Sequence, residues 1–177
     1  GVTDAVSKWQ FSGLANYIKL FNTELFRISM WNIFRIWLFG GILVMSLALL
    51  FAAILTSGIR FKNAFRAIIY MPNVVSAVAL ATMWLQYVFS PKFGLFKSIG
   101  ELLHWEWLAK FQWLDPSHLF MALLIAYCFG MVGYHMLIFA SGIERIGTDY
   151  YEAATLDGAS RIQQFRYITL PLLKGVT

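Results

Sequence analysis

The sequence predicts an all-α protein, a polytopic bundle of transmembrane helices with one polar loop on its cytoplasmic side. The chain is 59% apolar and only 13% charged, whereas soluble domains are about 45–50% apolar and about 25% charged. Its mean hydropathy is +0.65. Three stretches lack Asp, Glu, Lys and Arg, and each is long enough to cross the roughly 30 Å hydrocarbon core as a helix. The membrane is therefore the expected solvent.

The three charge-free stretches predict membrane spans at about 36–59, 67–91 and 116–143, within a single transmembrane domain over 1–177. In the second stretch Pro72 should bend the chain where it enters the span, because proline lacks an amide hydrogen and its ring clashes with the preceding turn. The residues before it, Phe61–Tyr70, are expected to form a short helix on the inner interface.

Basic residues in short loops set the expected orientation. The segment Ser57–Arg66 contains Arg60, Lys62 and Arg66 and no acid, so it is expected to be cytoplasmic. The segment Lys92–Asp115 has balanced charges and three tryptophans, which suit an outer membrane interface. By alternation the loop 144–170 lies inside. Since the bases that give the net charge of +5 lie scattered in loops, binding to nucleic acid is not expected.

The cytoplasmic loop 144–170 predicts two short helices joined by a tight turn. Thr148 is expected to cap the first helix, and Gly158 should end it, because glycine tolerates the left-handed conformation at a helix C-terminus. Ser160 and Gln163 have the spacing of a capping box for the second helix. The loop is either a solvated connection or a rigid projection that docks into a partner, and these residues alone leave both open.

The loop also resembles a known signature. Glu152-Ala153-Ala154, Gly158 and then Ile168-x-Leu170-Pro171 resemble the EAA motif of ABC importer permeases, the inner membrane components of binding-protein-dependent transport systems, and every signature position is occupied. Further segments are similar to carbohydrate-uptake permeases of the maltose and glycerol-3-phosphate type. These are 11–21, 60–89, 90–100 and 113–124, so the resemblance covers nearly the whole chain.

The resemblance implies a function for the loop and a set of partners. The loop would couple the permease to a dimer of ABC ATPase subunits through Glu152, Ala153, Ala154, Gly158, Ile168, Leu170 and Pro171. The other expected partners are a second, homologous permease, an extracytoplasmic solute-binding protein and membrane lipid. ATP hydrolysis would occur on the separate ATPase, so no catalytic residue and no cofactor is expected in this chain, which would lie in the prokaryotic cytoplasmic membrane. Such permeases have one earlier and two later membrane helices, so a truncated chain is expected.

The resemblance also suggests a substrate-pathway residue. Tyr134 lies 18 residues before Glu152, and in maltose-type permeases the corresponding position faces bound sugar. Gly130 and Met131 lie four and three residues earlier, on the same helix face. The alternative is that Tyr134 is a packing aromatic. The expected solute is a sugar or oligosaccharide, and the alternative is glycerol phosphate, an amino acid or a polyamine.

Two other classes of protein compete with the transporter. An intramembrane enzyme would need clustered His, Asp or Glu inside the spans, and these runs lack acids. A purely structural membrane anchor would need no coupling loop. His104, His118 and His135 lack the spacing of metal ligands, so no metal is expected. Asn73, Ser76 and Gln86 are either pathway groups or helix–helix contacts.

Overall fold

The computed structural model describes residues 13–174, and all regular secondary structure in that range is helical, as predicted. A 3₁₀ turn, Met71–Asn73, and three π-helical turns, Ile36–Gly40, Trp84–Val88 and Phe165–Thr169, extend or join the α-helices. The α-helices are α1 (Ala15–Asn22), α2 (Glu24–Arg35), α3 (Gly41–Thr56), α4 (Lys62–Tyr70), α5 (Ala77–Met83), α6 (Leu95–Leu102), α7 (Glu106–Lys110), α8 (Leu119–Glu144), α9 (Thr148–Leu156), α10 (Arg161–Gln164) and α11 (Leu170–Leu173).

The chain divides into two compact units, 1–38 and 39–177. In the described part of the first unit, α1 and α2 bury no residue. Phe21 and Phe26 meet edge to face, with ring centroids 5.2 Å apart, a favoured geometry for aromatic pairs. The second unit contains the helices on which the functional argument depends.

Two helical stretches in the described residues are long and apolar enough to cross a membrane, Glu24–Thr56 and Leu119–Glu144. The first starts earlier than the predicted span at 36–59, because a π-helical turn continues the helical backbone at Ile36 instead of a loop. It ends at Thr56. The second matches the predicted span at 116–143 to within three residues. Their length and composition support the spans, while their placement across a bilayer stays a prediction.

The predicted span at 67–91 is a broken helix. Lys62–Asn73 and Ala77–Val88 are long and apolar enough only when taken together, and they are bent by 95° at the break between them. Pro72 lies in the 3₁₀ turn just before this break, where its missing amide hydrogen and fixed φ favour an interruption. The predicted bend near Pro72 is therefore a break between two helical segments and not a kink within one straight span.

The main core lies between α3 and α8. Residues at spacings of three and four on both helices are buried against each other: Val44, Ala48, Ala52 and Leu55 on α3, and Cys128, Val132, Met136, Ala140 and Ile143 on α8. Such spacings place side chains in one row along a helix. Ala48, Ala52 and Ala140 are small, which allows close approach of helix backbones in a lipid environment, where burial gives little hydrophobic gain.

A second core, mainly of aromatic residues, packs against α6 and α7. Trp84, Phe89 and Trp113 are buried, and the centroids of Phe89 and Trp113 are 5.4 Å apart in a stacked pair.

Two hydrogen bonds from Ser117 to Asp115 hold the turn before α8. The Ser117 hydroxyl donates to Asp115 Oδ1 at 2.6 Å, and the Ser117 amide donates to the same oxygen at 2.9 Å. These bonds lower the pKa of the Asp115 carboxyl.

The end of α4 approaches α8 closely at Gly133. A β-carbon at this position would lie 2.3 Å from the Ile69 carbonyl oxygen and 2.9 Å from both Asn73 Nδ2 and the Tyr70 α-carbon. No side chain fits at such distances without moving backbone. By contrast, a β-carbon at Gly130, one turn earlier on α8, would meet nothing within 4 Å.

Gly133→Ala should therefore destabilise the protein, whereas Gly130→Ala should not. The first change forces a methyl group against backbone, and overpacking of this kind costs about 1–3 kcal/mol. The second places alanine in an open helical position, where it is favoured over glycine by about 0.5–1 kcal/mol. Thermal unfolding of both variants in the same detergent tests this contrast, and an equal or opposite order of the two melting temperatures would contradict the close contact at Gly133.

Candidate functional site

The predicted coupling loop begins where α8 ends. Ile143 and Ile146 are buried at this exit, so the start of the loop is fixed to the core. The structure corrects one detail of the prediction. The N-cap of α9 is Gly147, not Thr148, and no side chain caps this helix. Thr148 is already helical, because the extended backbone that an N-cap needs occurs one residue earlier, at Gly147 with ψ 138°.

Gly158 ends α9, as predicted. Its φ is +80°, in the left-handed region that glycine occupies without a steric penalty. The Gly158 amide donates to the Thr155 carbonyl oxygen at 3.0 Å, and the Ala159 amide donates to the Ala154 carbonyl oxygen at 2.8 Å. These two bonds are those of a Schellman motif. The chain therefore reverses sharply while the last carbonyl groups of α9 remain satisfied.

The predicted capping box begins the second helix. The Gln163 amide donates to Ser160 Oγ at 3.4 Å, and the Ser160 amide donates to Gln163 Oε1 at 2.7 Å. Helical backbone then continues from Arg161 through the π turn Phe165–Thr169 to Leu173. The π turn lies just before Pro171, whose ring would clash with the carbonyl four residues earlier in a regular α-helix. Leu170 and Pro171 therefore lie inside this helix and not at its end.

Side-chain hydrogen bonds at two places, around Thr169 and around Gln164, brace the two helices against each other. The hydroxyls of Tyr151 and Thr169 are 3.0 Å apart, and Thr169 is only 4% exposed. Gln164 Nε2 donates to Thr155 Oγ1 at 3.0 Å and to the Ala159 carbonyl oxygen at 3.2 Å. The loop is thus a braced pair of helices, and sequence reasoning missed both braces because hydroxyl and amide side chains in a polar loop have no distinctive pattern.

Two large apolar side chains of the loop are exposed to solvent. Leu156, at the end of α9, is 89% exposed, and Ile162, at the start of the second helix, is 80% exposed. Phe165 and Ile168, which share the helical spacing of Ile162, are partly buried. Leu156 was missed in the sequence, although a leucine directly before Asp157-Gly158 is a signal that could have been found. Large exposed apolar side chains of this kind are available for contact with a partner.

The signature residues are distributed over both helices of the loop. Glu152 and Ala153 are exposed on α9, while Ala154 is partly buried. Within residues 13–174, no ion pair is formed by Glu152, so its carboxylate is open to a partner. Ile168 is partly buried in the π turn. Leu170 and Pro171 line a cleft of about 510 Å³ together with Leu49 and Phe139 of the main core.

The predicted pathway residues lie together on the uncovered side of α8. Tyr134 and Met131 are exposed, and Gly130 has open space where a side chain would be. The opposite side of the same helix packs against α3. His135 Nδ1 lies 3.0 Å from the Met131 carbonyl oxygen, a contact within the helix. The amide nitrogen of Asn73 is buried near Gly133 without a hydrogen-bond partner in the described part of the chain.

No group of three or more His, Cys, Asp or Glu side chains within residues 13–174 is placed to hold a metal ion. The expectation that the chain binds no metal and no cofactor stays a prediction. Cys128 is a free thiol buried between α3 and α8.

Comparison with known families identifies the chain. The profile of the family "Binding-protein-dependent transport system inner membrane component" matches residues 45–177. The chain belongs to this permease family. As expected from the EAA signature, the permease is a membrane transport component and not a member of an enzyme family.

Named relatives of the permease are transport proteins. It is 34% identical over 176 residues to a "Probable ABC transporter permease protein" of Pyrococcus horikoshii. It is 32% identical over 167 residues to the trehalose/maltose transport system permease protein MalF of Thermococcus litoralis, and 28% identical over 176 residues to the diacetylchitobiose uptake system permease protein NgcF of Streptomyces coelicolor. These alignments cover 94–97% of the permease but only 59%, 55% and 50% of the three relatives.

Solved structures share the fold of the permease. A bacterial ABC transporter involved in the import of the acidic polysaccharide alginate matches with a TM-score of 0.80 at 23% identity, over 94% of the permease and 58% of that chain. The alginate transporter in complex with its pentasaccharide-bound periplasmic protein matches with a TM-score of 0.76. The all-α permease fold predicted from the sequence is therefore confirmed.

Removal of the capping box should loosen the second helix of the loop. Ser160→Ala deletes the side-chain acceptor of the Gln163 amide, and loss of such a cap costs about 1 kcal/mol. Amides of residues 161–164 should then exchange with solvent roughly fivefold faster, measured by hydrogen exchange and mass spectrometry. Ser98→Ala is the control, because the Ser98 hydroxyl bonds only the Gly94 carbonyl oxygen within its own turn. Unchanged protection at 161–164 would show that the cap does not hold this helix.

Proposed function

We propose that this permease is a transmembrane subunit of an ATP-driven ABC importer for sugars or oligosaccharides. It would form part of the translocation pathway and couple to a separate ATPase through the loop 144–170. The observation that carries the proposal is the braced pair of helices at the end of α8, which contains the complete EAA signature and exposes Glu152, Leu156 and Ile162.

The physical case for coupling rests on stiffness. A loop that transmits displacement must not bend, and here the turn at Gly158, the capping box at Ser160 and the two side-chain braces all restrict its internal motion. Leu156 and Ile162 would enter an apolar cleft on the ATPase, and Glu152 would meet a basic group there. Small side chains at Ala153 and Ala154 would allow the ATPase backbone to approach closely.

The names of the relatives support a saccharide as the solute. Their names specify trehalose and maltose, diacetylchitobiose and arabino-oligosaccharides, and all of these are saccharides. On α8 the exposed ring of Tyr134 could lie against sugar C–H groups, while its hydroxyl could hydrogen-bond a sugar hydroxyl. Met131 and Gly130 would form the rest of this face. The side-chain amide of Asn73 lies against Gly133, the residue before Tyr134, and has no hydrogen-bond partner within residues 13–174.

The remaining partners come from the family and its structural neighbours. A second permease would complete the pathway, and an extracytoplasmic binding protein would deliver the solute. In one of the matching structures the alginate transporter is in complex with a periplasmic protein that holds an alginate pentasaccharide. In this scheme the loops Ser57–Arg66 and 144–170 are cytoplasmic, and the segment Lys92–Asp115, which contains α6 and α7, lies on the outer side.

The coupling role is tested at Gly158 in the full-length permease assembled with its ATPase. Gly158→Val forces a β-branched residue to φ +80°, at a cost of about 1–3 kcal/mol. We expect ATPase co-purification and saccharide uptake to fall by about five- to 150-fold, while the permease stays in the membrane fraction. Gly13→Val is the control, because Gly13 also has a positive φ, 53°, but lies far from the loop in the sequence and outside the segment that contacts it.

Equal loss of assembly in both variants would indicate general strain and would contradict a specific role of the loop. Retained uptake and assembly in Gly158→Val would contradict the coupling proposal and support a solvated connection. Uptake should be measured with maltose, trehalose and diacetylchitobiose, beside glycerol 3-phosphate, glutamine and spermidine. Transport of only the last three would overturn the saccharide assignment and leave the importer assignment standing.

Tyr134→Phe tests the pathway face. Loss of one hydrogen bond to solute costs about 0.5–1.5 kcal/mol, so the saccharide concentration at half-maximal uptake should rise by about two- to tenfold while assembly is unchanged. Tyr87→Phe is the control, since Tyr87 is also an exposed tyrosine but lies in the π turn after α5. An unchanged concentration dependence in Tyr134→Phe would favour the packing role of this residue.

A further inference from the structure

A cluster of three charged side chains joins α4 to the end of α8. Glu144 Oε1 lies 2.9 Å from Lys62 Nζ and 3.6 Å from Arg66. Glu144 is the last residue of α8, four positions before the start of α9. Lys62 is the first residue of α4, and Arg66 lies one turn later. The cluster therefore connects the entrance of the coupling loop with a helix that lies far earlier in the chain.

The two bases lie on the packed side of α4. Lys62 and Arg66 are four residues apart and so share a face, and Phe65 and Ile69 on that side pack against the main core. The opposite side of the helix presents exposed Ile68 and, just beyond the helix, exposed Met71. The side chains of Lys62 and Arg66 remain partly exposed to solvent and reach Glu144 at the same time.

Thermodynamic stability does not account for this cluster. The side chains of Lys62, Arg66 and Glu144 are 41%, 38% and 40% exposed, and ion pairs with this much solvent access contribute little to folding. The consequence of the cluster is geometric, because it fixes the start of α4 to the residue that leads into the coupling loop. A second connection is a hydrogen bond in which Arg161 Nη1, in the loop, donates to the Ser57 carbonyl oxygen at 3.4 Å.

The far end of α4 contacts α8 at Gly133, the residue before Tyr134. The Ile69 carbonyl oxygen and Asn73 Nδ2 lie against Gly133, beside Tyr134 on α8. This contact leaves no room for even one methyl group, so a shift of α4 along α8 must change it. The chain then breaks, and the following helix departs at 95°. One end of α4 is thus tied to the coupling loop, and the other contacts the helix that carries the predicted pathway residues.

We propose that Glu144 is a positioning residue that makes α4 follow the coupling loop, so that movement of the loop at the ATPase changes the contact of α4 with Gly133 beside Tyr134. The inference rests on the proposed transport function. The charge cluster is a non-covalent connection between the loop and α4, and its solvent-accessible pairs can break and re-form during each cycle.

The test compares charge reversal with charge exchange in the full-length permease assembled with its partners in proteoliposomes. ATP hydrolysis and uptake are measured together, with the saccharide among maltose, trehalose and diacetylchitobiose that gives the highest wild-type rate. Glu144→Lys should lower the amount of saccharide imported per ATP hydrolysed by at least about fivefold, the lower end of typical coupling between sites. The combination of Glu144→Lys with Lys62→Glu should restore most of this ratio, because it re-forms an attractive pair.

An ion pair within α6 supplies a matched control. Glu101 pairs with Lys97 at 3.7 Å within α6, so Glu101→Lys also reverses one charge in a solvent-accessible pair but should leave the ratio unchanged. If Glu144→Lys fails to assemble, the milder Glu144→Gln is measured in its place, with an expected fall of the ratio in the same direction.

Each outcome decides the inference. The positioning role is overturned if the Glu144 variants import a normal amount of saccharide per ATP, or if charge exchange does not restore a reduced ratio. In either case the proposed transport function still stands, provided that the wild-type protein imports the saccharide. An equal loss in Glu101→Lys shows a general effect of charge and also overturns it. Absence of wild-type uptake for every saccharide and every other solute tested removes the proposed function itself, and the inference falls with it.

Discussion

The packing of α3 against α8 is the constraint on which the rest of the structure depends. In a lipid environment there is little hydrophobic gain from burying one apolar helix against another, so two helices hold together only if their surfaces fit closely. Alanines at positions 48, 52 and 140 provide this fit. Because one side of α8 packs against α3, Gly130, Met131 and Tyr134 on its other side remain uncovered. The same packing fixes the C-terminal end of α8, from which the loop 144–170 begins.

The loop and the core use different physical means to become rigid. The core is rigid because small side chains interdigitate along two helices. The loop has almost no buried apolar residue, so it relies on polar groups: a Schellman turn at Gly158, a capping box at Ser160 and bonds such as the one between Tyr151 and Thr169. Hydrogen bonds of this kind fix geometry more than they add stability, which suits a segment that must keep its shape.

The fold also places polar groups where they connect separate parts of the second unit. Lys62 and Arg66 on α4 face Glu144 at the end of α8, and Arg161 reaches the backbone at Ser57. The loop is therefore not an isolated projection. It contacts the segment that leads from α3 to α4, and through Glu144 it contacts α4 itself, whose other end lies against Gly133.

Much of this protein could be determined from the sequence alone. The charge-free runs predicted the long helices, and Gly158, Ser160 and Gln163 predicted the two-helix loop, because periodicity, caps and turns are local properties of the chain. The spacing of Glu152, Ala153, Ala154, Gly158, Ile168, Leu170 and Pro171 indicated the family. The sequence also predicted a bend near Pro72, but tertiary structure alone decided that the second run breaks by 95° between Asn73 and Ala77, that Gly133 must lack a side chain, and that Lys62 and Arg66 of α4 meet Glu144. These features depend on which helices meet and how closely, and contacts between residues far apart in the chain leave no periodic trace in the sequence.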